Sequence, residues 1–306
     1  MFDVYSSRQY RSLEPITAPT YSAVAPSPDQ VRLLTRVRSK RGVYLQVHFA
    51  WFESELPNIV YSNCIQKLCE LGGSETNQTR LDCLFIGHDL QSWNSLGVWF
   101  FPNTHALLAL IRSREFMALT AHAKNALAMV MVPNPAVSQR WLNLGHKLMP
   151  RLTSDQTSKE STGGMQFTGL DPNPVQLKNF QQCDQGTPIH MFNALKFRKF
   201  ADYGTHRQAV SGQQVYRDRY GRLAIACIHK SGGKLVADAQ YQFTLIGANG
   251  DPRIGQWDEV VIAQYPSRQA FLNMLRLDTY QHALVHRQAA LERTTLWSAT
   301  PLKTGD

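Results

Sequence analysis

One pattern occurs twice in this chain, and that repetition limits its fold more than any other feature. The stretch WNSLGVWFFPNTHALLALIRSREFMALTAHAKNAL, beginning at Trp93, aligns without a gap on WDEVVIAQYPSRQAFLNMLRLDTYQHALVHRQAAL, beginning at Trp257. Identities fall at Trp93/Trp257, Pro102/Pro266, Ala106/Ala270, Leu108/Leu272, Arg112/Arg276, His122/His286, Ala126/Ala290 and Leu127/Leu291. Upstream, Gly72-Gly73 and Ile86-Gly87 match Gly232-Gly233 and Ile246-Gly247 with the same internal spacing. Two blocks in the same order point to a duplicated unit, and 306 residues leave room for two units of ordinary size.

The second copy is the easier to read. Ile189–Phe197 alternates as a strand, and Val215–Lys230 places apolar residues at helical intervals. Gly232-Gly233 then ends that helix, because residues without a Cβ accept the left-handed conformation that closes a helix. Tyr241–Ile246 and Glu259–Tyr265 are β-rich runs separated by a Gly/Asn/Asp/Pro turn and are expected to pair antiparallel. Pro266-Ser267 opens a helix with Ala270, Phe271, Met274 and Leu275 on one face, a further helix ends near Leu291, and Thr294–Ala299 is a last strand. The order β-α-β-β-α-β is that of a ferredoxin-like domain, whose sheet has helices on one face only. The bare face needs a cover, and the other copy supplies one. The expected fold class is therefore α+β, with two tandem ferredoxin-like domains packed together as a barrel within one chain.

The expected boundaries are a flexible basic leader over 1–42, a first domain over 43–133, a linker over 134–186 and a second domain over 187–302. The linker is rich in Pro, Asn, Gln, Ser and Thr, with one short helix expected around Gln139–Met149. The net charge of +9 is scattered, and its only cluster, Arg32 to Arg41, lacks interleaved aromatic residues, so nucleic acid is not the expected partner. No run approaches the ~20 apolar residues that span a bilayer, and the start of the chain does not read as a signal peptide, so a cytoplasmic location without membrane contact is expected. Five cysteines without a CxxC pair fit reduced thiols, and no metal site is expected.

PIHMFNALKF, SGQQVYRDRYG, Gly232-Gly233, WDEVVIAQYPSRQAFLNML and YQHALVHRQAALE occur in order, and together they resemble the bacterial domain-of-unknown-function 1330 family of the dimeric α+β barrel superfamily. The resemblance covers roughly Pro188 to Pro301 and is degenerate in the first copy, where FAWFES at Phe49–Ser54 is placed against NALKFR and Ala123 against Arg287. It implies two sheets joined into a barrel, usually between subunits, with a cleft between each sheet and its own helices. Relatives in the superfamily include cofactor-independent oxygenases, haem-dependent peroxidases and isomerases, so the fold does not set the function.

The candidate chemistry lies in the second copy. Arg287 shares a helix face with Tyr280, Leu284 and Leu291; a guanidinium there needs a carboxylate brace, with Asp258 and Glu259 as candidates, or an anionic ligand. His286 recurs at His122 and titrates near neutrality, so it is a candidate acid or base, as is His190 on the first strand. Asn193 could steady an oxyanion, and Tyr280, Trp257 and Glu259 are candidates for lining a pocket. For each the bland alternative is a packing or bracing role. Two functional readings stay open. One is a small-molecule enzyme, a cofactor-independent oxygenase or isomerase acting on a small, largely apolar or aromatic substrate. The other is a non-catalytic ligand-binding or protein-interaction module. No cofactor is expected; for haem, only the histidines would serve as ligands. Exposed faces of both copies leave a homodimer open.

Overall fold

A computed structural model describes residues 24–53, 57–87, 92–134, 169–204, 209–247 and 256–302. In the first copy, strand β1 (Val43–Trp51) leads through helix α2 (Asn58–Glu70) to β2 (Ser74–Ile86), β3 (Ser95–Phe101), α3 (Thr104–Ile111), α4 (Arg114–Ala121) and β4 (Ala123–Pro133). A short helix, α1 (Pro28–Leu34), precedes it, and α5 (Pro174–Gln182) joins it to the second copy. There β5 (Ile189–Phe197) is followed by α6 (Gly212–Val215), which runs through a π-helical turn (Tyr216–Gly221) into α7 (Arg222–Lys230). β6 (Lys234–Ile246), β7 (Glu259–Tyr265), α8 (Arg268–Leu275), α9 (Asp278–Ala290) and β8 (Leu291–Pro301) complete the chain's described elements.

The glycine pairs act as the sequence suggested, and for two separate reasons. Gly72 and Gly232 both sit at φ +76°, the left-handed turn that ends α2 and α7. At the next residue the constraint is space, since a Cβ on Gly73 or Gly233 would lie 2.6 Å from Phe100 O or 2.7 Å from Gln264 O. Helices α3 and α8 begin alike: after Pro102 and Pro266, the side chains of Asn103 and Ser267 accept from the backbone N–H of Ala106 and Ala270.

The eight strands of the described residues form one closed barrel in the order β1-β3-β2-β8-β5-β7-β6-β4. Each copy contributes four neighbouring strands, and the copies join where β2 meets β8 and β6 meets β4. The bare faces of the two sheets turn inward and enclose a core that includes Val98, Met129, Phe192, Ile262 and Trp297. Two further cores lie outside the barrel, one between each sheet and its helices. The expected fold class, two ferredoxin-like units making an intramolecular dimeric α+β barrel, describes this arrangement. No helix among the described residues is long and apolar enough to cross a membrane.

Several finer expectations need correction. Tyr241–Ile246 does not pair with Glu259–Tyr265: β7 pairs with Lys234–Gln240, the first half of β6, and the second half crosses to β4 of the other copy. Each of these 13-residue strands serves two sheets in turn, which is what closes the barrel. The ungapped repeat holds only as far as His122, because α4 is shorter than α9 and Ala123 begins β4, structurally opposite Leu291 and not Arg287. On the first strands, Val43 pairs with Phe101 as Ile189 pairs with Tyr265, so Asn193 corresponds to Val47 and not to Phe49.

The leader and linker also contribute to the packing. Leu34 and Val37 are buried in the first outer core. Residues 169–186 carry α5, whose Phe180 is fully buried against Phe85 and Phe271, with ring centroids 4.8 and 5.5 Å away. The helix expected at Gln139–Met149 lies outside the described residues.

Candidate functional site

Between the second sheet and its own helices lies a cavity of about 370 Å³. Its walls are mainly apolar, with Met191, Ile228, Leu235, Phe271 and Met274 among them. Four tyrosines, Tyr216, Tyr220, Tyr265 and Tyr280, line it as well. All four are buried, and burial raises the pKa of each hydroxyl above its usual value, so they remain neutral hydrogen-bond donors. The hydroxyls of Tyr220 and Tyr280 lie 3.1 Å apart. Arg217 and Arg222, which also face solvent, mark the open end.

At that end the cavity wall becomes acidic. Glu259 starts β7 with only 3% of its surface exposed, and Asp238 reaches it from β6. Arg217, from the π-helical turn, donates to Glu259 Oε2 at 2.5 Å, and Asn134 Nδ2 donates to Asp238 Oδ1 at 2.7 Å. Of the two carboxyls, Glu259 binds the guanidinium and Asp238 the amide, with the Arg217 charge also felt by Asp238. Burial first, and then the like charge of Asp238, push the Glu259 carboxyl up to about 7 against the opposing pull of Arg217. Burial also raises Asp238. A carboxyl that titrates near neutrality on an apolar wall is suited to accepting and returning a proton.

Asn193 lines the same cavity. The Thr294 hydroxyl donates to its Oδ1 at 2.7 Å, which leaves the amide Nδ2 as the end available to a ligand. Of the residues selected from sequence, the structure therefore brings together Asn193, Tyr280 and Glu259.

The others lie elsewhere. His190 is three residues from Asn193, and alternation along a strand sends the two to opposite faces. It points to the barrel side with Phe192, and burial, helped by Lys234, lowers its pKa to about 4. Trp257 belongs to the barrel core and lies under the Arg293 guanidinium, 4.5 Å from its ring centroid. His286 is on the outer side of α9, where Nδ1 lies 2.7 Å from the Tyr203 hydroxyl. Its counterpart His122 is an exposed C-cap residue of α4.

Arg287 is buried and braced, though not by Asp258 or Glu259. It donates to the Leu170 carbonyl and lies 3.5 Å from Asp171 Oδ1. Asp258 is already engaged by Lys196 Nζ at 2.9 Å and the Phe197 N–H at 2.8 Å, while Glu259 holds Arg217.

Sequence reading missed Asp238 and the part played by Arg217. The repeat contained a signal for them. Structural equivalence sets Ser95 against Glu259, Gln78 against Asp238 and Val47 against Asn193. It also sets Trp99 against Ala263 and, counting back from the matching helix ends, Tyr61 against Gly221. In the first copy Trp99 is fully buried, and Tyr61 donates to Glu75 beside it. Large aromatics thus occupy the positions where the second copy has a methyl group and a hydrogen facing its cavity.

Comparison with known proteins places these observations in a family. The model for a domain of unknown function, DUF1330, matches residues 203–298. A structure of a protein of unknown function from Rhodopseudomonas palustris is 36% identical over 44% of this chain and 97% of its own, with a TM-score of 0.38. A mutant chlorite dismutase from Candidatus Nitrospira defluvii is 10% identical over 86% of this chain and 93% of its own, with a TM-score of 0.43. A heme-binding protein from Thermus thermophilus is 12% identical over 86% of this chain and 92% of its own, with a TM-score of 0.42. No curated protein matches the chain. The cavity does not fit a histidine-ligated haem, because no histidine is among the described residues that line it. With its second copy carrying the matched domain and both copies closing one barrel, the chain belongs to the DUF1330 family.

Proposed function

We propose that the cavity of the second copy binds a small, largely apolar or aromatic molecule and moves a proton on it without a cofactor, as an isomerase does. The observation that carries this reading is the buried Glu259 carboxyl on an apolar wall, close to a second carboxyl, Asp238, and bound to Arg217. Ionised Glu259 takes a proton from a carbon beside a carbonyl group. The electron pair of that C–H bond moves into the carbonyl oxygen, where the Asn193 amide and a tyrosine hydroxyl donate hydrogen bonds to the enolate. In a substrate with a neighbouring C=C bond, the pair flows back through the dienolate to the far carbon, which takes the proton as the double bond shifts. Glu259 is restored, and nothing is oxidised or reduced. The same deprotonation would open a cofactor-independent oxygenation, with dioxygen as the oxidant. Isomerisation is preferred because it needs only the groups on this wall.

The test is exchange of the α-hydrogens of β-tetralone, an uncharged enolisable ketone, followed by NMR in heavy water. The protein should accelerate exchange beyond an equal concentration of acetate, and Glu259→Gln should lower the rate by about a hundredfold or more. His286→Ala should stay within about twofold, since that ring lies outside the cavity wall. No acceleration by the wild type, or full acceleration by folded Glu259→Gln, would refute the proposal.

A further inference from the structure

We infer that the cavity selects uncharged ligands bearing a hydroxyl or carbonyl group, and discriminates against carboxylates, phosphates and ammonium ions. This rests on the reading that the cavity is the working site, and adds the class of molecule it admits. Glu259 and Asp238 line the same end of the cavity, and two like charges so close on a buried wall favour a state in which one of the pair keeps its proton. The charge that remains is met by Arg217, so the polar end of the cavity is balanced before any ligand arrives.

An anion entering this end would meet the acid pair and, beyond the neutral donors of Asn193 and the tyrosines, no uncommitted cation among the described residues of the buried wall. Arg217 is held by Glu259, and Arg287 is committed to Leu170 and Asp171. Arg222, the other cation among the described lining residues, has 74% of its side chain exposed and lies 3.8 Å from Asp218. An ammonium ion would face Arg217 and would have to displace the proton shared by the carboxyls. A neutral hydroxyl or carbonyl requires neither change. It can exchange hydrogen bonds with the acid pair and the Asn193 amide while its ring packs among the tyrosines.

Titration calorimetry of the full chain near neutral pH, with naphthol, naphthoate and naphthylmethylamine as probes of one shape and three charges, tests this. Naphthol should bind at least about tenfold more tightly than either ion. Asp238→Asn removes one acid and should narrow the gap between naphthol and naphthoate by about threefold or more. Equal or tighter binding of either ion, a gap unchanged by Asp238→Asn in a folded protein, or no binding of naphthol would each overturn the inference. If tetralone exchange persists while one of these results is found, only the charge selectivity fails. If exchange is also absent, the cavity's proposed role fails with it.

Discussion

Replacing Glu259 by Gln should make the protein's stability less sensitive to pH, and the structure gives the size and sign. The folded protein holds the Glu259 proton up to about pH 7, whereas the unfolded chain releases it near the ordinary 4.5. Between these values the native state binds more protons than the unfolded state, so stability falls as pH rises through this window. Below it, the buried charge costs nothing. Above it, the cost is fully expressed, and at 1.36 kcal/mol per pH unit the interval corresponds to about 3 kcal/mol. With 4% of its side chain exposed, Glu259 has little solvent to reduce that cost, while Arg217 is 44% exposed and can hydrate when its partner is removed. Urea denaturation of wild type and Glu259→Gln at about pH 4.5 and about pH 8.5 measures the difference. The wild type should lose about 3 kcal/mol more than the variant on going from acid to base. Equal losses would refute the claim that this carboxyl is held protonated by burial beside Asp238.

Two other substitutions follow from the packing. Ala263→Trp gives the second copy the residue that the first carries at Trp99, so it should fill the cavity and weaken naphthol binding at least about tenfold while leaving the fold intact, as circular dichroism and calorimetry would show. Arg268→Ala removes a buried guanidinium that ties the second copy to Asp82 of the first, and should cost about 3 kcal/mol in denaturant titrations because buried Asp82 keeps only the exposed Arg80, 3.9 Å away, and the Thr300 hydroxyl.

The parts of this molecule legible from sequence were those encoded locally or by repetition. The glycine pairs, the Pro-Asn and Pro-Ser helix starts and the strands Ile189–Phe197 and Glu259–Tyr265 each have a short-range cause, and all appear as expected. Strand partners are different. Nothing in the alternation of Lys234–Ile246 announces that its second half leaves β7 for β4 of the other copy. The partner of Arg287 was hidden for a similar reason: Leu170 and Asp171 are over a hundred residues away in sequence and come back only because α5 packs on β2. The site was partly readable. Asn193, Tyr280 and Glu259 emerged from residue type and position, whereas Asp238 sits between alanines in a strand and shows its meaning only when β6 brings it to Glu259. His190 could have been separated from Asn193 by strand periodicity alone.

The proposed role depends on the buried acid pair of the cavity wall holding a proton at neutral pH. Carbon-13 NMR of glutamate-labelled protein, titrated through the stable range, tests it most directly. One glutamate carboxyl should show a midpoint near 7 and be absent from the Glu259→Gln spectrum. Titration of every glutamate signal in the ordinary carboxylate range would show that no such proton is held.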